Sequence, residues 1–162
     1  MALRVPEGTP VDLPEGDEVI LFQALGGSFS IEHRGQLYRI DGTQADALGR
    51  EPLTLEFNDI RPGEVSMDHV DQVLRTVYDP EIPVNLLDLG LIYDRRIEGT
   101  AIHIDMTLTA PACGMGEVLK SEVEQRLRMV PNVTEVRVRM VFDPPWDRSM
   151  LSEIAKLELG ML

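Results

Sequence analysis

The chain has 162 residues, a 43% hydrophobic fraction and a formal net charge of −13. That is enough length and apolar content for a core, and no stretch approaches the roughly 18 consecutive apolar residues of a membrane span. The acidity is shared, −7 over residues 1–60 and −6 over the remainder, so neither half offers the basic surface that nucleic acid or an anionic membrane requires.

The N-terminus carries no basic segment followed by an apolar one, so the expected location is the cytoplasm. There is one cysteine, Cys113. It cannot close an intramolecular disulfide and it excludes zinc motifs built on paired cysteines. His33, His69 and His103 stand apart, in none of the spacings that hold a metal, and are expected to be hydrogen-bonded or solvated.

In chain order, residues 1–60 read as a small β-rich region. Glu18 to Ala24 is an apolar run of strand length after the Pro14-Glu15-Gly16 turn. Ser28 to Glu32 and Gln36 to Ile40 alternate around His33-Arg34-Gly35 as a hairpin. Asp46 to Gly49 reads as one helical turn, and Arg61-Pro62-Gly63 as the linker to a second domain spanning residues 64–162.

From Ser66, as N-cap, the period becomes helical, with Val70, Val73, Leu74 and Val77 on one face to near Tyr78, where Asp79-Pro80 stops it. Leu91 to Ile97 and Ala101 to Thr109 form a hairpin, with Ile102, Ile104, Met106 and Leu108 on one side. A helix follows from about Glu117 to Met129 along the line Val118, Leu119, Val123, Leu127 and Val130. A strand through Val136, Val138, Met140 and Phe142 and a terminal helix around Leu151 to Leu159 complete the order α-β-β-α-β-α. The expected class is α+β, a two-layer α/β sandwich on a three-stranded sheet preceded by the β-rich N-terminal region.

Three loops hold residues that a bare connection does not need: Asp79 to Leu91, Thr107 to Leu119 and Phe142 to Trp146. A hairpin returns to the end where it began, so all three can meet at one end of the sheet. Cys113 precedes the second helix, where free backbone N–H groups favour a thiolate, and Gly114 and Gly116 clear space beside it. The competing reading is a small buried hydrophobe.

Asp79, Glu81 and Asp88 cluster as carboxylates. They suit a general acid/base pair or a hard cation, but equally hydrogen bonds within their own turns. Thr107 and Thr109 lead into the cysteine loop and are read as lying opposite the apolar face of their strand. Trp146, behind two prolines, is a lid over the sheet or a partner contact. No P-loop, dinucleotide fingerprint or nucleophile elbow occurs, and Cys113 has no histidine placed to activate it, so catalysis is not expected.

Asp79-Pro80-Glu81-Ile82-Pro83, Asp88-Leu89-Gly90-Leu91, the threonine-rich strand leading to Cys113, and Phe142-Asp143-Pro144-Pro145-Trp146 together resemble the iron-sulfur assembly domain of SufT and of the MIP-type cytosolic targeting factors. The likeness runs roughly from Met67 to Gly160, and Leu25 to Gly49 is similar to the extension of the longer SufT proteins. The departure is Gly114, where many relatives have proline after the cysteine. The resemblance implies a non-catalytic accessory factor in maturation of iron-sulfur proteins, with Cys113 as candidate ligand of a transient iron-sulfur cluster. Asp79, Glu81, Asp88, Thr107, Thr109 and Trp146 would then shape the loops or recognise partners.

The implied partners are the assembly machinery and client apoproteins. One thiolate cannot hold a [2Fe-2S] cluster that ordinarily takes four ligands, so a homodimer, small thiols or a client would supply the rest. Two alternatives stand beside this: an interaction adaptor that binds no cluster, and an accessory subunit of an oxygenase complex, whose relatives carry further C-terminal cysteines.

Overall fold

A computed structural model describes residues 1–25, 28–79, 82–110 and 114–161. It shows the α+β class, with two separate sheets. The N-terminal one has five antiparallel strands: β1 (Ala2–Arg4), β2 (Pro10–Val11), β3 (Ile20–Leu25), β4 (Ser28–His33) and β5 (Gln36–Asp41), in the order β2-β1-β5-β4-β3. Sequence reading misses β1 and β2 because three- and two-residue strands are too short to show a period. A 3-10 segment, Gly42–Leu48, follows, longer than the single turn expected. Asp41 caps it by accepting from Thr43 N, and Gly49 at φ 68° ends it.

The second sheet comprises β6 (Ile92–Glu98), β7 (Ala101–Met106) and β8 (Glu135–Met140), with β7 in the centre, antiparallel to β6 and parallel to β8. Its inner face meets α1 (Met67–Leu74), α2 (Leu86–Leu89), α3 (Gly116–Leu127) and α4 (Glu153–Glu158) around a core that includes Val70, Leu74, Leu89, Ile104, Val123 and Leu127. Outward, Asp105 pairs with Arg139 at 2.8 Å, so that face carries matched charge.

The helix α1 stops at Leu74, before the expected Tyr78. Thr76 explains this: its hydroxyl takes the Val73 carbonyl at 2.6 Å, and the next amides form i→i−3 bonds, unwinding the turn. Ser66 holds the N-cap position in extended conformation but makes no capping bond. The short helix α2 lies in what reads as loop; Asn85 caps it by accepting from Asp88 N, and Gly90 at φ 78° ends it.

The two sheets meet across α3, which is buried on two sides. Leu119, Val123 and Leu127 face the apolar core. Glu122 and Arg126, respectively 1% and 0% exposed, face the N-terminal sheet. Arg39 Nε donates to Glu122 Oε1 at 2.6 Å, and Arg126 binds Asp41 Oδ2 from Nε at 2.9 Å and from Nη2 at 2.8 Å. Arg126 also donates to the Ser28 hydroxyl and the Thr76 carbonyl. Two cations and two carboxylates therefore cancel in a site that water does not reach.

Candidate functional site

The strand register settles which loops share an end. Ile92 pairs with Met106, and Met106 pairs with Met140. The entry to β6 and the exits of β7 and β8 therefore lie side by side. That brings together the segments beginning at Asp79, at Thr107 and at Val141, and hydrogen bonds tie them. Thr107 N donates to Leu91 O at 2.9 Å and Val141 N to Met106 O at 2.7 Å. Trp146 Nε1 donates to Leu89 O at 2.7 Å and Tyr93 Oη to Pro144 O at 2.6 Å.

Within this end the carboxylates are engaged in shaping the chain. Asp79 is 3% exposed and its Oδ1 accepts from Ile82 N at 2.9 Å, closing a turn. Asp88 accepts from Asn85 Nδ2 through Oδ2 at 2.6 Å and from the Ser152 hydroxyl through Oδ1 at 3.0 Å, while its carbonyl takes Ser152 N at 2.8 Å. Asp88 therefore joins the N-cap of α2 to the N-cap of α4. Gly90 seals this junction, since a Cβ there would lie 2.3 Å from the Met150 carbonyl oxygen.

Thr107 lies beyond β7, which ends at Met106, and is 1% exposed, with Leu108 also buried. Both faces of the chain are covered at this point, so the alternation read into Thr107 and Thr109 does not describe it; Thr109 is half-buried in the following loop. Burial raises the Tyr93 phenol above its ordinary value, against a hydrogen bond from Thr107 that lowers it. Trp146 is half-buried, held by its indole N–H on Leu89. Beside it a cavity of about 300 Å³ is lined by Ile82, Pro83, Leu151 and Leu159.

Cys113 and Glu81 lie outside the described residues. The chain immediately after the cysteine is described, and the N-terminal region packs on it. A Cβ on Gly114 would sit 3.1 Å from Pro6 Cβ, and one on Gly8 would lie 2.8 Å from the Glu117 backbone carbon and oxygen. The turn at residues 6–8 thus lies against the first residues of α3. Among the described residues no group of three or more histidine, cysteine, aspartate or glutamate side chains is arranged to hold a metal ion. The histidines have protein neighbours: His33 Nε2 bonds Asp17 Oδ2 at 2.7 Å, His69 Nε2 bonds Asn58 O at 2.5 Å, and His103 lies 3.4 Å from Glu98.

Sequence reasoning missed Asn85, Tyr93 and Ser152 at this end, and Arg39, Asp41, Glu122 and Arg126 between the sheets. Asn85-Leu-Leu-Asp88 is a readable capping pattern. Glu122 and Arg126 stand one helical turn apart, where a solvated ion pair is the default reading.

Residues 67–138 match the model of the family described as iron-sulfur cluster assembly protein. Over 96 residues the chain is 43% identical to the Fe-S protein maturation auxiliary factor of Porphyromonas gingivalis, covering 59% of this chain and 91% of that one. This chain belongs to the iron-sulfur cluster assembly protein family. It is also 35% identical over 86 residues to the Fe-S protein maturation auxiliary factor SufT of Staphylococcus aureus, which covers 52% of this chain and 98% of that one.

A crystal structure of a domain of unknown function from Bacillus anthracis superposes with a TM-score of 0.54 at 36% identity, over 59% of this chain and 92% of that one. The family part thus accounts for α1 to β8. The five-stranded sheet precedes the matched residues and is an N-terminal extension to the family domain.

Proposed function

We propose that this protein is a non-catalytic accessory factor in the maturation of iron-sulfur proteins, acting in the cytoplasm on the assembly machinery and client apoproteins. The carrying observation is the relation to maturation auxiliary factors across nearly their whole length. The architecture supports it: three motif-bearing segments converge at one end of the sheet, and the same end delivers the chain toward Cys113. In this reading the cluster is cargo and Cys113 is a transient thiolate ligand. The remaining ligands come from a second copy, from small thiols or from the client.

The residues of the site divide accordingly. Asp79 and Asp88 hold their turns, Thr107 and Thr109 lead the chain out of β7, and Trp146 closes the neighbouring loop; Glu81 is assigned to partner recognition. In the same reading the protein has two parts, a β-rich region of residues 1–60 and an assembly domain of residues 64–162. A single labile thiolate suits transfer and not storage or electron transfer.

The test is anaerobic reconstitution with iron and sulfide of the wild type and of Cys113→Ala, read by iron content and visible charge-transfer absorption. Bands and iron in the wild type alone support the thiolate role. Equal spectra for the two remove it and leave the adaptor reading, in which the protein bridges machinery and client without holding the cluster.

A further inference from the structure

The N-terminal sheet reaches beyond the part that α3 covers. On its α3-facing side Ser28, Ser30 and Glu32 of β4 lie opposite Asp41, Arg39 and Leu37 of β5. Arg126 and Glu122 close over the Ser28, Asp41 and Arg39 end. The other end stays open as a groove of about 560 Å³, lined by Val5, Phe22, Glu32, Leu37, Arg39 and Met115 among others.

The groove has an apolar lining and one uncompensated charge. Phe22 is 60% exposed and Leu37 45%. Exposed side chains of this size next to one another mark a surface that something covers. Of the two charged side chains in the lining, Arg39 is neutralised by Glu122 at 2.6 Å. Glu32 is half-buried and makes no ion pair among the described residues, so its charge is available to a cation. Among the described residues the strand β3, which contributes Phe22, pairs only with β4, and its outer backbone edge is open to an extended segment.

We propose that this groove docks an extended segment of a partner protein, in which a large apolar side chain fills the space between Phe22, Leu37 and Met115 and an adjacent lysine or arginine pairs with Glu32. A second copy of this chain is a poorer occupant. Each copy carries −13, so two copies repel one another, whereas a segment with a lysine or arginine is attracted. One wall of the groove, Met115, stands two residues after Cys113 in the chain. The chemistry of the groove does not rest on the function proposed above.

The experiment titrates full-length, isotope-labelled protein with two synthetic peptides, one alternating lysine with phenylalanine and valine, the other with glutamate in place of lysine. Amide shifts and fluorescence anisotropy are recorded. The lysine peptide saturates with shifts at Phe22, Leu37 and Met115, and the glutamate peptide does not bind. Leu37→Ser, at an exposed position that the fold tolerates, weakens binding about tenfold.

Glu32→Lys loses the lysine peptide by tenfold or more and acquires the glutamate peptide, whereas Glu56→Lys, an exposed charge elsewhere, changes nothing. Equal effects of Glu32→Lys and Glu56→Lys would reduce the binding to general attraction and overturn the proposal. So would a wild-type dimer in sedimentation that Leu37→Ser dissociates, which assigns the groove to a second copy. Because these variants keep Cys113, a negative result here with normal cluster reconstitution separates this failure from that of the proposed function.

Discussion

The three-stranded sheet rests on a continuous layer of buried aliphatic side chains running from Val70 to Ala155, whereas the five-stranded sheet has a small cluster of Ala2, Ile31, Tyr38 and Ile40 and meets α3 through a buried set of charges beside the close-packed turn at residues 6–8. Apolar burial is tolerant of detail: one methylene more or less costs a fraction of the total. A buried quartet of charges is not, because each member exists in the ionised form only while its partner is in place. The extension is thus attached by a specific code on α3, and the family domain is held by ordinary core packing.

The largest expected effect follows from breaking that code. Arg126→Met leaves Asp41 buried without a counter-charge and costs about 3–5 kcal/mol in denaturant unfolding. Hydrogen exchange localises the loss: amides of β4 and β5 open, while those of β7 remain protected. Uniform loss in both sheets would show that the two regions are one cooperative unit and that the contrast is only in composition.

Gly90→Ala perturbs the other region. The positive φ and the approach to Met150 leave no room for a Cβ, so a loss of about 2–3 kcal/mol is expected, measured by thermal unfolding, with exchange rising at the α2–α4 junction and not in β4. Trp146→Phe keeps an aromatic ring, though a smaller one, and removes the indole N–H bond to Leu89 O, with an expected loss of about 1 kcal/mol in the same measurement.

The smallest change is expected from a double replacement. Arg39→Met with Glu122→Leu removes a matched pair and leaves stability within about 1 kcal/mol of the wild type, although either single change is costly. It also alters the pH profile. Burial raises the Glu122 carboxyl above its ordinary value, against the lowering pull of Arg39 and Arg126. With the folded value above the unfolded one, the folded state retains a proton that the unfolded chain has released, so this group's contribution to stability falls as pH rises through that window and is constant above it. The double variant lacks that slope in unfolding free energy measured from the ordinary carboxylate range upward.

The family domain was legible in the sequence because its elements carry strong periods. Val70, Val73 and Leu74 announce α1, and Ile102, Ile104 and Met106 announce β7; all six are buried in the core. The site end followed from hairpin logic alone, and the register of Ile92, Met106 and Met140 places the three segments together.

What escaped has local causes. The strands β1 and β2 are too short for a pattern, and Thr76 ends α1 through a side-chain bond that no period reveals. Glu122 and Arg126 look like solvent-facing helix charges until β5 supplies Arg39 and Asp41 more than eighty residues away in the chain. The groove beside Met115 depends on where the two sheets meet, a relation that neither region's sequence contains by itself.

The central proposal is an accessory factor in iron-sulfur protein maturation that hands on a cluster through Cys113, and transfer kinetics test it most directly. An apo iron-sulfur enzyme is incubated anaerobically with a cluster-loaded scaffold, with and without this protein or Cys113→Ala, and recovery of enzyme activity is followed. The account predicts that substoichiometric wild-type protein accelerates recovery and that Cys113→Ala does so far less. No acceleration by either, across clients of different cluster type, would contradict it.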